Sequence, residues 1–356
     1  PAFIAANAGK RSIALDLKAD GGREVALRLI AASDVVLENF RPGVMDKLGL
    51  GYEACKALRP EIVFCSVSGY GQDGPLRNHP AIDNTIQAVS GMMNLGGDPG
   101  AAPQRIGFPA VDTYAGTLAA LAITSALLGR ERFGGGQRID LSMLDASLVL
   151  MASMAVPFLV TGAALSRTGN VGYSGQPTAG MFATRDGTML SLGVVQPNQF
   201  AALCRALGHD ELLADTRFAS AELRKQNGTE LRVILAAALA TRDGAELERV
   251  LCEAGAPAGL VRDVSAAVLS PQLATRSLLQ PVRIPGLPGR EDVHVLNAGF
   301  EFAHDGPGVT EPPPRLGEHT DEILIALGFD AEQRARLRAT GAAYAKSSPT
   351  QGSNGT

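Results

Sequence analysis

"DVVLENFRPGVMDKLGLGYEACKALRPEIVFCSVSGYGQDGP", residues 34–75, alternates apolar runs with turn-rich and helical stretches. "DVVLEN" and "EIVFCSV" are short and apolar almost throughout, the pattern of strands buried on both faces. Between them, "RPGVMDKLGL" and "YEACKALRP" read as helical turns. Pro42 opens the first of these at a position where its missing N–H does no harm. Buried strands joined by helices imply a parallel sheet covered by helices, and hence an α/β fold. Ligands of such sheets settle beyond the carboxyl ends of the strands. Those ends carry "ENFRPG" (38–43) and "SGYGQDG" (68–74) here.

On the N-terminal side, "RSIALDL" reads as a further strand and "DGGREVALRLIAAS" as an amphipathic helix with Val25, Leu29 and Ala32 on one side. The chain opens on Pro1 and runs almost at once into a turn and strand, as expected of a chain whose leading piece is absent. On the C-terminal side, a helix runs from Asp112 to about Arg132, followed by a turn at Gly134–Gly136 and "QRIDLSML". The greasiest stretch, "ASLVLMASMAVPFLVTG" (146–162), is too short for a bilayer span and carries Pro157. It is expected as a buried helix, with Met151, Met154, Val156 and Phe158 filling core rather than lining an acyl pocket. A hairpin follows around Asp186–Gly187, then mostly helix from 197 to 255 and short strands from 256 to 302. "PPPRLGEHTDEILIALGF" supplies a proline stop and a helix capped by Thr320 that returns to the first domain. The expected division is a large domain of residues 1–172 and 300–345, a smaller mixed α+β domain of 175–298, and a disordered polar tail of 346–356.

The 356 residues carry a net charge of −4 and no basic stripe, which points away from nucleic acid. Cys55, Cys65, Cys204 and Cys252 show no paired spacing, so no zinc site is expected and a reduced, cytoplasmic protein is. "GGGQRID" lacks the Lys-Ser/Thr of a phosphate-binding loop, and "SGYGQDG" is not a dinucleotide fingerprint. Arg41 and Lys47, around a tight turn and a helix start, suit phosphates or simply a solvated surface. His79 lies in a loop, as a surface residue or a base, and His319 beside a helix start. Asp112 precedes a long apolar run and reads first as a helix N-cap. The same location favours an ionised carboxylate beside small neighbours, a candidate nucleophile.

Five stretches together carry a family resemblance: "NAGKRSIALDLK", the 34–75 segment, "IDNTIQAVSG", "VDTYAGTLAALAITSALLGRERFGGGQRIDLSMLDA" and "LGEHTDEIL". In this order, from Asn7 to about Gly341, they resemble the family III CoA-transferases, to which α-methylacyl-CoA racemase is related. The resemblance implies a Rossmann-like large domain, a small domain, and a homodimer of interlocked ring-shaped chains. It implies that Asp112 is the nucleophile and that CoA contacts fall on Asn39, Phe40, Arg41 and Lys47. Further CoA contacts are implied at Leu15, Asp16, Leu17 and Lys18 and at His79, Pro80, Ala81 and Ile82. A glycine loop closing over the reacting centre is implied at Ser174, Gly175 and Gln176. The implied activity is acyl-CoA:carboxylate CoA-transfer, with the CoA thioester as substrate and no permanently bound cofactor or metal. The racemase branch carries a His where this chain has Ile82, so a transferase is expected over a 2-methylacyl-CoA epimerase. The family's additional N-terminal strand-helix-strand segment has no counterpart here, which makes a truncated, non-catalytic CoA-binding homologue the third expectation.

Overall fold

A computed structural model describes residues 2–344, so the expected tail of 346–356 lies outside the described residues. Three strands, Val35–Glu38, Val63–Ser68 and Gln137–Ser142, form a parallel sheet with Val63–Ser68 at its centre. Ile62, Val63, Phe64 and Cys65 are almost fully buried, as their continuous apolar run requires. The crossover between the first two strands holds the short helices Val44–Lys47 and Tyr52–Leu58. Leu50, Cys55, Ile62 and Phe64 pack there with Ala26 and Ile30 of the Asp20–Ala31 helix. The α/β class and the parallel sheet read from residues 34–75 are therefore present.

The chain folds as two compact units. The first takes the residues up to Ser90, Phe108–Met151, and those from Leu269 onward; the second takes Gly91–Gly107 and Ala152–Val268. This division differs from the 175–298 boundary in both directions. Residues 91–107 belong to the second unit because Arg167 grips them, donating from Nε to the Asn94 carbonyl at 3.1 Å and from Nη2 to Asn94 Oδ1 at 2.7 Å. The hairpin Leu279–Arg283 and Asp292–Leu296 belongs to the first, where Arg315 Nη2 holds the Pro285 carbonyl at 2.9 Å.

The second unit is built on an antiparallel sheet of Ala179–Ala183, Met189–Gly193 and Ala258–Leu260, and the hairpin turns at Asp186–Gly187 as expected. Leucines at every fourth position of Gly228–Leu239 (Leu231, Leu235, Leu239) and of Gly244–Glu253 (Leu247, Leu251) are fully buried against it.

Three local expectations are corrected. Of "RSIALDL" only Ala14–Leu15 is strand, paired antiparallel with Ala343–Tyr344. Thr320 does not cap its helix; its hydroxyl accepts from the Ala14 N–H at 3.2 Å and donates to the Tyr344 carbonyl at 2.8 Å, clamping those two strands. The 146–162 stretch is two helices, Met143–Leu150 and Ala152–Thr161, rather than one buried helix. Val156 and Phe158 are exposed, and Met151 and Met154 only half-buried. Hydropathy shows that such side chains avoid water, not that their own chain covers them. The Ala110–Phe133 helix is also long and apolar enough to cross a membrane, but it lies along the Val63–Ser68 and Gln137–Ser142 strands and carries Asp112 in its first turn.

Candidate active site

The carboxyl ends of all three parallel strands open on one cavity of about 190 Å³. Asn39 follows the first strand, Ser68 and Gly69 close the second, and Met143 follows the third. The loop carrying His79, Ala81 and Ile82 forms another wall. A β-carbon on Gly69 would stand 2.2 Å from the Ala81 methyl, so this close crossing of loop and strand end requires glycine. Asn39 Nδ2 donates to the Val67 carbonyl at 2.7 Å and ties the first strand end to the second.

Asp112 reaches this cavity from the third position of the Ala110–Phe133 helix. It is not the cap. The carboxylate of Asp83, first residue of the Asp83–Val89 helix, takes that role through one oxygen. Asp83 Oδ2 accepts from the N–H groups of Val111 at 2.8 Å and Asp112 at 3.1 Å, while Gln87 Nε2 donates to Oδ1 at 2.6 Å. Asp83 is buried, and these three donors plus the helix N-terminus compensate its charge. The Asp112 carboxylate accepts no hydrogen bond from any of the described residues and so faces the cavity uncommitted. Partial desolvation, and next the like charge of Asp83, push its pKa above the ordinary carboxylate value.

Asn39, Asp112 and Met143 also border a second cavity of about 340 Å³, whose other walls are Leu37, Val67, Ala115, Gly116 and Ala119. A β-carbon at Gly116 would meet nothing within 4 Å, so glycine there leaves space and allows no closer packing. Asp112 thus stands between a cavity bearing Arg41, Arg77 and His79 and one lined largely by apolar side chains.

Of the residues expected at the site, Asn39, Phe40, Arg41, His79, Ala81, Ile82 and Asp112 line the first cavity together. Lys47 and Pro80 are exposed and outside its lining. Leu15, Asp16, Leu17 and Lys18 are also outside it. Leu15 and Leu17 pack on the sheet core, while Asp16 accepts the Lys18 N–H at 2.9 Å. Ser174, Gly175 and Gln176 belong to the second unit, with Gly175 at φ 68° and Gln176 buried. Arg232 Nη1 anchors that loop on the Pro177 carbonyl at 3.2 Å. Arg77, Ser68 and Asp83 escaped the sequence reading. Arg77 lines the cavity. Its guanidinium, like that of Arg41, has neither a carboxylate nor a hydrogen-bond partner among the described residues, the hydrogen bonds of both residues being made by the backbone. Within the described residues no three His, Cys, Asp or Glu side chains gather as metal ligands.

A family model described as CoA-transferase family III matches residues 1–320. The chain belongs to CoA-transferase family III. An acyl-CoA transferase of Fusarium pseudograminearum is 36% identical over 339 residues, covering 95% of this chain and 74% of that one. The acetyl-CoA:oxalate CoA-transferase of Acetobacter aceti is 37% identical over 320 residues, covering 89% and 79%. Among solved structures, a CaiB/BaiF family protein from Brucella suis superposes with a TM-score of 0.79 at 33% identity, over 91% of this chain and 83% of that one. As a family III CoA-transferase the chain is an enzyme of acyl-CoA metabolism, and the fold is that of its structural neighbours.

Proposed function

We propose that the protein moves CoA between carboxylic acids through an acyl anhydride on Asp112. The observation that carries this reading is an uncommitted carboxylate at a helix N-terminus, its backbone fixed by Asp83, on the wall common to two cavities. An Asp112 oxygen attacks the thioester carbonyl carbon, and the C–S bond breaks with release of CoA thiolate. The acceptor carboxylate attacks the Asp112 carbonyl carbon and the donor acid leaves. The CoA thiolate then attacks the acceptor's acyl carbon, which forms the new thioester and frees the Asp112 carboxylate. Arg41 and Arg77, unpaired in the same cavity, suit the phosphates of CoA, so that remote binding energy supports the reacting centre. Lys47 and Leu15 to Lys18 are proposed as further CoA contacts, and Ser174 to Gln176 as the loop that excludes water.

CoA thioester and acceptor acid are substrates on this reading, and no resident cofactor is involved. The proposed assembly is an interlocked homodimer, and the proposed compartment is the cytoplasm, which suits four free cysteines. Hydroxylamine trapping during incubation with an acyl-CoA donor is expected to modify Asp112. Asp112→Ala is expected to lower kcat by about 10⁴-fold or more while leaving the fold intact. Transfer at an undiminished rate in that variant ends the proposal. A panel of donors against dicarboxylates, oxalate included, and carnitine-like acceptors defines the acids.

Epimerisation of a 2-methylacyl-CoA is a second reading, favoured by His79 and Asp112 lining one cavity. Deuterium entering the α-carbon in the absence of any acceptor acid supports it, and absence of exchange removes it.

A further inference from the structure

Ser68 closes the central strand and is 5% exposed, yet its hydroxyl oxygen has no hydrogen-bond partner among the described residues. Two nearby buried hydroxyls are engaged. Ser142, its register partner on the next strand, accepts from the Asp145 N–H at 3.1 Å, and Ser147 donates to the Met143 carbonyl at 2.8 Å. An unpaired buried hydroxyl carries a free-energy penalty, and a native fold retains one where an ordered water or a ligand completes it or a function needs it. Ser68 is also part of the wall of the cavity that holds Asp112. A turn about its one side-chain bond re-aims the oxygen without moving the strand.

The chemistry narrows the partner. Asn39 already spends an amide N–H on the Val67 carbonyl, and Arg41 and Arg77 are cations suited to phosphate. Ser68 supplies a neutral donor whose protonation state does not change with pH, placed at a strand end in the wall of the cavity that Asp112 also lines. We infer that Ser68 is a further catalytic residue, its hydroxyl donating to the carbonyl oxygen of the acyl group while Asp112 attacks.

This inference rests on the covalent reading above. As the Asp112 oxygen bonds to the carbonyl carbon, the C=O π pair moves onto the carbonyl oxygen. That oxyanion accepts the Ser68 hydrogen bond. On collapse the π bond re-forms, the C–S pair leaves with the CoA thiolate, and Ser68 keeps its proton. Donors aimed at an oxyanion act in the transition state more than in the ground state, so their loss falls on kcat.

Ser68→Ala is expected to lower kcat for acyl transfer by about 10²- to 10³-fold, with CoA affinity by calorimetry within about twofold of the parent. Ser68→Thr, which keeps the hydroxyl, restores most of the rate. Should the alanine variant fail to fold, Ser68→Cys, of nearly the same shape but a weak donor, is expected to show a loss in the same direction. A parental kcat in the alanine or cysteine variant overturns the inference, as does an effect confined to KM or a folded threonine variant as slow as alanine. Single-turnover hydroxylamine trapping separates the two levels. No trapping on Asp112 in the parent protein sinks the covalent reading itself. Parental trapping together with an unslowed trapping rate in Ser68→Ala sinks the role of Ser68 alone.

Discussion

Two apolar helices, Gly228–Leu239 and Ala110–Phe133, put their large side chains in opposite places. In the first, Leu231, Leu235 and Leu239 are sealed inside the second unit. In the second, the buried residues are Ala110, Val111, Ala115 and Ala119, while Leu121 is 62% and Phe133 85% exposed. The leucine helix completes a core within its own unit. The longer helix turns small residues inward, where they leave a cavity beside Asp112, and large ones outward. Similar hydropathy therefore serves stability in one region, and room for a ligand together with an uncovered apolar face in the other.

The largest expected effect tests the sealed side. Leu235→Ala leaves a cavity in the second unit and is expected to cost about 2–5 kcal/mol of stability, measured by denaturant unfolding. A loss below about 1 kcal/mol breaks the contrast, since it makes this core as permissive as a surface. On the open side, Leu121→Glu is expected to change the stability of an isolated chain by no more than about 0.5 kcal/mol. If the outward face is covered by a second copy, the same change shifts the protein toward monomer in sedimentation. Unchanged assembly removes this face from the proposed dimer.

The smallest expected effect concerns pH. Partial desolvation and then the Asp83 charge raise the Asp112 pKa, and on the proposed mechanism the attacking form is the ionised one. Asp83→Asn keeps an acceptor oxygen but removes the like charge, so the acidic limb of kcat is expected to move to lower pH. Desolvation remains, so the limb does not fall all the way to the ordinary value of 3.8. The sign for stability is the reverse of a salt-bridged carboxylate. A raised pKa favours the folded state below the ordinary value, and this contribution is lost as pH rises through the folded one. Asp112→Asn is accordingly expected to gain slightly on its parent in melting temperature between acid and neutral pH. A limb that stays in place in Asp83→Asn denies the coupling between the two carboxylates.

The parallel strands were legible because continuous apolar runs bounded by turn residues have few other uses, and the residues just past them became cavity walls. The Ala14–Leu15 pairing was not, because its partner strand lies at Ala343–Tyr344. Asp112 was legible as a carboxylate at a helix start, but which carboxylate caps that helix was not. The acceptor comes from Asp83, 28 residues before Val111, on a separate helix. Ser68 gave no signal, because lacking a partner is a property of three-dimensional surroundings. Arg77 also gave no signal, and only the fold brings it to the cavity that Asp112 lines.

The clamp made by Thr320 has a consequence for biosynthesis. Asp16 donates its N–H to the Ala342 carbonyl, and Ala14 leans on Thr320, 306 positions downstream. The strand that leads into the proposed CoA-contacting residues Leu15 to Lys18 therefore has no mate on the ribosome until translation has passed Tyr344. Closing so long a loop for a pair of two-residue strands is a late event in folding. A polypeptide released before that point leaves this early segment without its clasp.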